Sequence, residues 1–326
     1  MIVNILGAGS WGLALSHLLA RNGYKVIVWL RNDDKALKLN LSRIHPKLPN
    51  YKINPKIVFT SNLYDLDFEN LTIIALPSNA VYENLKDINN LNCDLLVCTK
   101  GFDPNSKKLL SNLLVDNLNV SIDKIAVLSG PNHAEEIVQN KPAATVIASK
   151  NNKLVSSLQL LLSSESFRVY KTNDLDGVQV GGAIKNIISI ASGLCSSLKL
   201  GDNIIAALIT RGLYEMLSLG KIYNLDISTL YGLSGLGDLM ATAYSKHSRN
   251  RKFGEFIGSG YTISEALKEV DATVEGLFAC KIIKDISTRE GLDLPICTEI
   301  YNILYNFSDP RQSIDNLMLR KLKNEK

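Results

Sequence analysis

Apolar residues in the first half of the chain gather in short, β-branched runs that alternate with helical patterns. Several of these runs are apolar throughout, which is typical of strands covered on both faces. Strands that alternate with helices predict an α/β domain built on a mostly parallel, doubly wound sheet. The predicted strands are Ile2–Leu6, Lys25–Leu30, Lys56–Thr60, Leu71–Leu76, Asp94–Thr99, Ile125–Ser129, Ala144–Ala148 and Phe167–Tyr170.

The pattern changes near Asp174, after which apolar positions follow helical periodicity and no convincing strand is found. We therefore predict two domains, an α/β domain over residues 1–178 and an all-helical domain over residues 179–326. The clearest predicted helices of the second domain are Asn203–Leu219, Ile263–Val270, Thr273–Arg289 and Thr298–Tyr305.

Composition narrows the class of protein. The chain has 326 residues, 46% of them hydrophobic, so it can bury a large core. A formal net charge of +4 is too small to indicate a nucleic-acid partner and is compatible with a small anionic substrate. The five cysteines are scattered without a CxxC pair, as in proteins of a reducing compartment. Since neither a signal peptide nor an apolar run approaching the length of a membrane span is apparent, we expect a cytoplasmic protein.

The first predicted strand, Ile2–Leu6, runs directly into a GxGxxG motif formed by Gly7, Gly9 and Gly12, and a helical pattern follows over Leu13–Arg21. In this position the first glycine allows a tight turn and the second lets a pyrophosphate approach the backbone. The third lets the helix pack on the strand, while the helix N-terminus favours an anion. The strand, turn and helix together predict a Rossmann-type dinucleotide site.

The end of the second strand bears on the choice of cofactor. A site specific for NAD usually presents an acid here, to hold the ribose hydroxyls. Arg31 is better placed than Asp33 or Asp34, and a guanidinium suits the 2′-phosphate of NADP. We expect NADP or NAD, with a modest preference for NADP.

Lys185 is the only charged residue for about three turns of an apolar helical pattern. An ammonium among apolar neighbours loses hydration, so its pKa falls toward the range of a general acid or base. Gly181 and Gly182, one turn earlier, would let a ligand or another backbone approach closely. The alternative is a lysine whose head group reaches water along the helix surface.

Three further segments carry candidate chemistry. Lys100 follows the end of a strand, where open α/β sheets bind ligands, and residues 129–134 (SGPNHA) do the same at a later strand. The stretch 235–239 (GLGDL) precedes 248–254 (SRNRKFG), whose Ser, Arg and Asn side chains could clamp a phosphate. Ordinary loop polarity and a solvated basic turn are the alternatives.

The motifs VGGAIKN, CTKG, SGPNHA, GLGDL and SRNRKFG, behind GAGSWG, together resemble bacterial NAD(P)-dependent glycerol-3-phosphate dehydrogenase. The resemblance covers nearly the whole chain, to about Tyr305. It implies the interconversion of dihydroxyacetone phosphate and sn-glycerol 3-phosphate, which supplies the backbone of phospholipids.

The resemblance also implies roles for individual residues. Lys185 would exchange a proton with the substrate C2 oxygen, and Asp238 would bind the substrate hydroxyls or orient Lys185. The other residues that it implies for the substrate are Lys100, Gly130, Asn132, Ser248, Arg249 and Asn250. Those that it implies for the cofactor are Ser10, Trp11, Arg31, Lys100, Ala134, Arg249 and Glu275, beside the glycines of the first loop. The chain departs from the family at Asn132, where a hydroxyl residue is frequent, at Thr273, where valine is usual, and at Trp11, where tyrosine or phenylalanine is common.

Two other classes of protein remain open. A β-hydroxyacid dehydrogenase or ketopantoate reductase would share the two-domain plan, but its carboxylate substrates would not need the cluster Ser248–Asn250. A sensor that binds NAD(P)H without catalysis would have little use for Lys185 and Asp238. No metal is expected, because the four histidines are dispersed. A homodimer is conceivable, since helical second domains often self-associate.

Overall fold

The computed structural model describes residues 1–88, 91–223, 225–322 and 324–325. The first half contains a large central sheet and a small hairpin. The strands are β1 (Ile2–Leu6), β2 (Lys25–Trp29), β3 (Ile44–His45), β4 (Leu48–Lys52), β5 (Ile57–Thr60), β6 (Thr72–Ile74), β7 (Leu95–Val97), β8 (Ile125–Ser129), β9 (Ala143–Ser149) and β10 (Phe167–Thr172).

The central sheet has the strand order β10-β9-β8-β7-β6-β1-β2-β5. All neighbours in it are parallel except β8 and β9, which pair antiparallel. The prediction of a mostly parallel, doubly wound sheet is confirmed, and each of the eight predicted strands is present with ends shifted by at most two residues. The order reverses around β1, with β2 on one side and β6 on the other, so the carboxyl ends of these strands open a crevice for ligands.

The hairpin of β3 and β4 is absent from the sequence prediction. Only Leu48 of β4 is buried, and the strand contains Pro49 and Asn50, so it lacks the alternation of apolar and polar residues by which strands are recognised. The hairpin packs beside the start of the sheet, where His45 contacts the backbone of Ala8 in the glycine-rich loop.

Helices cover both faces of the sheet and form the rest of the molecule. Those of the first half are α1 (Ser10–Arg21), α2 (Asp33–Ser42), α3 (Val81–Leu85), α4 (Leu110–Leu118), α5 (Ala134–Ile137) and α6 (Asn152–Leu162). Those of the second half are α7 (Leu175–Ser197), α8 (Asp202–Gly220), α9 (Ile227–Tyr231), α10 (Asp238–Tyr244), α11 (Arg249–Gly258), α12 (Ile263–Val270), α13 (Glu275–Glu290), α14 (Pro295–Tyr305) and α15 (Pro310–Met318). Over the described residues after Thr172 there is no strand, as the periodicity predicts.

Helix α7 is the axis of the helical half. Its first turn is capped by Asp174, whose carboxylate accepts a hydrogen bond from the N–H of Gly177 at 3.0 Å. It is buried over nearly its whole length, and α8, α10, α11 and α13 pack around it. The predicted domain boundary between residues 178 and 179 lies within this helix, which runs without a break from Leu175. The domain division itself stays a prediction.

The length of α7 corrects the expectation that no apolar run approaches the length of a membrane span. It has 23 residues and an 18-residue window of mean hydropathy 1.3, so by length and composition it could cross a membrane. That window is entirely buried inside the protein, as in the central helix of a helical domain.

Candidate active site

A cavity of about 800 Å³ lies at the carboxyl ends of β1, β2 and β7 and is closed on the other side by α7, α10 and α11. Most of the site residues predicted from the sequence line it: Gly7, Gly9, Ser10, Trp11, Arg31, Lys100, Asn132, Ala134, Lys185, Asp238, Ser248, Arg249, Asn250 and Glu275. Gly12 and Gly130 lie behind the lining, where Gly12 packs against Gly7 and the carbonyl of Gly130 binds Lys100. The structure therefore brings together residues from both halves of the chain. Their individual roles stay predictions.

The glycine-rich loop has the geometry that a dinucleotide needs. Gly7 has φ +114°, and a Cβ there would lie 2.6 Å from the carbonyl oxygen of Ala75. A Cβ on Gly12 would lie 1.9 Å from the carbonyl oxygen of Gly7, so the helix can approach the strand only without a side chain. Gly9 instead faces open space and begins α1 with no side-chain cap, which leaves helix N–H groups free for an anion. The loop fits a pyrophosphate.

At the end of β2, Arg31 is exposed and makes no hydrogen bond or ion pair within the described part of the chain. Asp33 is engaged elsewhere, because its carboxylate accepts a hydrogen bond from the hydroxyl of Ser61 at 2.5 Å. It also lies in the first turn of α2, where a carboxylate is stabilised by the helix dipole. The free group that faces the cavity here is therefore a cation.

Lys185 lies in the middle of α7 with a side chain only 9% exposed, and its ammonium faces the protein interior. The Nζ group donates to Asp238 Oδ1 at 3.0 Å and to Thr242 Oγ1 at 2.7 Å. Burial lowers the pKa of Lys185 to about 8, against the opposing attraction of Asp238. The alternative of a lysine that reaches bulk water is wrong.

Asp238 joins two lysines. While its Oδ1 accepts from Lys185, its Oδ2 accepts from Lys100 Nζ at 2.6 Å, and Lys100 also donates to the carbonyl of Gly130 at 2.8 Å. Burial by itself would raise the pKa of Asp238, but the two ammonium groups outweigh burial and hold that pKa below its usual range. The cluster therefore contains one carboxylate between two cations, a net positive site that favours an anionic substrate.

The two glycines that precede Lys185 allow other segments of the protein to pack closely against α7. A Cβ on Gly182 would lie 2.8 Å from the hydroxyl oxygen of Ser129, and a Cβ on Gly181 would lie 2.8 Å from the carbonyl oxygen of Ser234. Ser234 belongs to a π-helical turn, Leu233–Gly237, that leads directly into Asp238. Of the two possibilities open from the sequence, close approach of another segment is the one observed. These contacts set the distance between α7 and the residues that hold its lysine.

Of the predicted phosphate-binding residues, Arg249 has the free side chain. It is exposed at the start of α11, lines the cavity and makes no hydrogen bond or ion pair within the described residues. Ser248 caps α11 by accepting from the N–H of Arg251 and contacts Ser189. Asn250 donates to Asn186 at 2.8 Å and accepts from the N–H of Gly276 at 3.0 Å. These two side chains hold the helix in place, and its N-terminus and Arg249 face the cavity.

Of the remaining predicted residues, some polar groups are hydrogen-bonded within the protein and others are not. Glu275 begins α13 and accepts from the backbone N–H and the hydroxyl of Ser78, at 3.0 and 2.6 Å, so it links the helical half to the sheet. Burial raises the pKa of Glu275. Asn132 donates to the carbonyl of Ala144, while its buried side-chain oxygen has no partner within the described residues. The indole N–H of Trp11 is also buried and unpartnered there, so both groups could serve a ligand.

Three residues of the site were missed by sequence reasoning. Thr242 donates to the main-chain oxygen of Asp238 at 2.6 Å and accepts from Lys185. Its position one helical turn after Asp238 could have indicated it. Asn186 connects Lys100 to Asn250 and stands beside the predicted lysine. Ser78 has no such signal, because nothing in the sequence near it points to Glu275.

Two histidines also lie near this cluster. His133 and His247 line the cavity with their rings 6.0 Å apart, and His133 contacts the carbonyl of Ala241. Among the described residues there is no group of three or more His, Cys, Asp or Glu side chains that could hold a metal ion.

Comparison with known proteins finds two family profiles that match successive parts of the chain. Residues 2–155 match the profile described as the N-terminus of NAD-dependent glycerol-3-phosphate dehydrogenase, and residues 174–315 match the profile of its C-terminus. A curated relative from Halothermothrix orenii, named glycerol-3-phosphate dehydrogenase [NAD(P)+], is 39% identical, and the match covers 99% of this chain and 96% of the relative. The crystal structure of glycerol-3-phosphate dehydrogenase from Coxiella burnetii superposes with a TM-score of 0.92 at 35% identity, covering 98% of this chain and 99% of that one.

A structure described as a probable 2-dehydropantoate 2-reductase from Bacillus subtilis has a TM-score of 0.56 at 14% identity, covering 94% of this chain and all of that one, so it shares the fold alone. The alternative of a ketopantoate reductase therefore has no support beyond the common architecture. A sensor without catalysis is equally disfavoured, because the relatives are enzymes by name. Two profiles and relatives matched over almost their full length lead to one conclusion: the chain belongs to the NAD-dependent glycerol-3-phosphate dehydrogenase family.

Proposed function

We propose that this protein interconverts dihydroxyacetone phosphate and sn-glycerol 3-phosphate with NADPH or NADH, and that Lys185 is its general acid and base. The observation that carries the proposal is the buried cluster of Lys185, Asp238 and Lys100, which shares one cavity with the glycine-rich loop. A nucleotide cradle and a proton donor in one cavity are what a ketone reductase needs.

The proton transfer follows from the state of Lys185. With a pKa of about 8, its side chain is mostly an ammonium at neutral pH and can donate to the C2 oxygen as the ketone is reduced. In the opposite direction the neutral amine accepts the proton of the alcohol. The reduced nicotinamide, when bound, supplies the hydride that C2 receives.

Asp238 and Lys100 support this transfer in different ways. Asp238 fixes the orientation of Lys185 and keeps its pKa from falling further. Lys100 adds a second cation beside the developing negative charge on the C2 oxygen, in a site sheltered from water.

Arg249 and the N-terminus of α11 would bind the substrate phosphate, since a guanidinium can fork onto two phosphate oxygens and the first N–H groups of a helix favour anions. Binding a phosphate at one end of a three-carbon substrate positions its C2 atom, so affinity is converted into orientation. Net positive charge around Lys185 supports the same preference for an anion.

Oxidation of NADPH or NADH, followed by absorbance after dihydroxyacetone phosphate is added, tests the proposal. We expect turnover with the phosphorylated ketone and much less with unphosphorylated dihydroxyacetone or with a 2-keto acid of similar size. Equal turnover with a 2-keto acid would contradict the substrate assignment.

The proposal also covers the domain division, the cellular location and the metabolic role of the protein. We propose that residues 1–178 and 179–326 are the two domains, that the protein acts in the cytoplasm and that its product enters phospholipid synthesis. Five free and buried cysteines support a reducing compartment.

A homodimer is a further proposal. An apolar groove between α8 and α15, lined by Ile204, Leu208 and Met318, supports it, and sedimentation analysis would test it.

A further inference from the structure

The hairpin of β3 and β4 places a lysine at the mouth of the cavity. Lys47 lies between the two strands and lines the cavity, although no motif of the sequence pointed to it. Its ammonium donates to the main-chain oxygen of Asp271 and lies 3.5 Å from the carboxylate of the same residue. Asp271 caps the C-terminal end of α12 in the helical half, so this contact spans the cleft.

The base of the hairpin is held firmly against the nucleotide loop. His45 donates through Nε2 to the carbonyl of Ala8 at 2.9 Å, and its Nδ1 accepts from the N–H of Lys47 at 3.1 Å. A single neutral form of the imidazole satisfies both bonds. Tyr51 of β4 also hydrogen-bonds with His17 of α1. The position of Lys47 is therefore tied to the glycine-rich loop.

A chain of contacts relates Lys47 to Arg31. The N–H of Gly7 donates to the carbonyl of Trp29 at 2.9 Å, so the loop after β1 lies beside the end of β2. Arg31 follows Trp29 by two residues, and Ala8, which binds the hairpin, follows Gly7. Both cations line the cavity, Arg31 at the end of β2, where the adenosine ribose of a dinucleotide binds, and Lys47 beside the glycine-rich loop next to it.

A stronger anion could replace Asp271 as the partner of Lys47. The side chains of Lys47 and Asp271 are 44% and 88% exposed, and exposed ion pairs of this kind contribute only about 0–1 kcal/mol to stability. A phosphate monoester carries nearly two negative charges and three acceptor oxygens. The nearest acid at the end of β2, Asp33, accepts a hydrogen bond from Ser61 and does not line the cavity.

We propose that Lys47 is a further cofactor-binding residue that determines specificity. Together with Arg31 it receives the 2′-phosphate of NADPH, and Asp271 competes for its ammonium when that phosphate is absent. The inference rests on the proposed function in one respect, the binding of a dinucleotide in this cavity. It adds that the two partners of the ion pair have opposite effects on the affinity for NADPH.

Calorimetric titration of the full-length protein with NADPH, NADH and adenosine 2′,5′-bisphosphate tests this directly, without turnover. Lys47→Met should raise the Kd for NADPH and for the bisphosphate about tenfold, the loss of one charge-assisted hydrogen bond, with NADH unchanged. Asp271→Asn should lower the Kd for NADPH about threefold, because the competitor is removed. Asparagine also tolerates the left-handed conformation of residue 271, whose φ is +47°.

The matched controls come from a second ion pair between the two halves, Lys107 with Asp285 at 2.5 Å, which does not line the cavity. Lys107→Met and Asp285→Asn should leave all three affinities unchanged. In the double variant Lys47→Met with Asp271→Asn, the gain from Asp271→Asn should disappear, since Asp271 acts only through Lys47.

The outcomes separate two failures. If neither NADPH nor NADH binds the wild-type protein, the proposed function and this inference both fail. If both bind, but Lys47→Met weakens them equally or not at all, or Asp271→Asn weakens NADPH, the role of Lys47 is overturned and the dinucleotide site stands.

Discussion

The nucleotide end of the cavity is formed mainly by backbone groups, whereas the substrate end is formed by side chains. The nucleotide end is made largely of backbone, in which Gly7 and Gly12 allow close packing while Gly9 and the first N–H groups of α1 leave space for a ligand. The substrate end is made of buried side chains, in which one carboxylate holds two ammonium groups. The glycine-rich loop is one continuous segment of the chain, whereas the charged cluster needs three segments that are distant in the sequence. The first end should therefore tolerate changes elsewhere in the protein, and the second should not.

Removal of the lysine tests the substrate end most severely. Lys185→Met keeps an unbranched apolar stem in α7 but cannot donate a proton, so kcat should fall by about a hundredfold or more. The Kd for NADPH should stay within about twofold, because the backbone end is untouched. Rapid-mixing turnover and calorimetric titration measure the two quantities. Near-normal kcat would exclude Lys185 as the acid and base.

Asp238→Asn should change the pH dependence as well as the rate. In the wild-type protein, kcat/KM for reduction should fall as the pH rises through about 8, because only the ammonium of Lys185 donates. The variant loses the carboxylate that raises this pKa, while burial and Lys100 continue to lower it. The midpoint should therefore move to lower pH. At neutral pH the rate should fall about twofold for the first unit of the shift, which brings the pKa to about 7, and by up to about tenfold for each further unit.

Because an unpaired buried charge also costs stability, the free energy of unfolding of Asp238→Asn should drop by about 3–5 kcal/mol. The pH midpoint separates the two effects, since a purely structural loss lowers the rate without moving it. Profiles of kcat/KM from pH 6 to 10 provide the measurement. An unmoved midpoint would show that Asp238 does not tune Lys185.

Arg249→Met should act on binding with a smaller effect. The exposed guanidinium makes no hydrogen bond or ion pair within the described residues, so the fold should keep its melting temperature. The KM for dihydroxyacetone phosphate should rise about tenfold, as for loss of a charge-assisted contact, while the low activity with unphosphorylated dihydroxyacetone stays the same. Arg311→Met is a control, since Arg311 is also exposed on the helical half but lies outside this cavity. An equal loss with both ketones would contradict phosphate binding.

The difference between the two ends also explains what could be predicted from the sequence. GxGxxG directly after an apolar strand has local geometry, so the loop and the fold of the first domain follow from the residues themselves. Lys185 was recognisable because a single charge in an apolar helix is unusual. Its partner Thr242 and the link from Ser78 to Glu275 depend on tertiary packing, which periodicity does not encode. The hairpin that carries Lys47 was missed because β4 is mostly exposed and contains a proline, so it lacks the apolar alternation of a strand.

The last test concerns the nucleotide end of the cavity. There the addition of a single methyl group should weaken cofactor binding without unfolding the protein. A Cβ at Gly9 would meet no protein atom within 4 Å, whereas a Cβ at Gly12 would meet the carbonyl oxygen of Gly7 at 1.9 Å. Gly9→Ala should therefore keep the melting temperature and raise the Kd for NADPH and NADH alike by about three- to tenfold, because the methyl group occupies the path of the pyrophosphate. Gly12→Ala should instead lower the melting temperature. If Gly9→Ala left both affinities unchanged, the open space beside it would not be the pyrophosphate site, and the contrast between a backbone end and a side-chain end would fail.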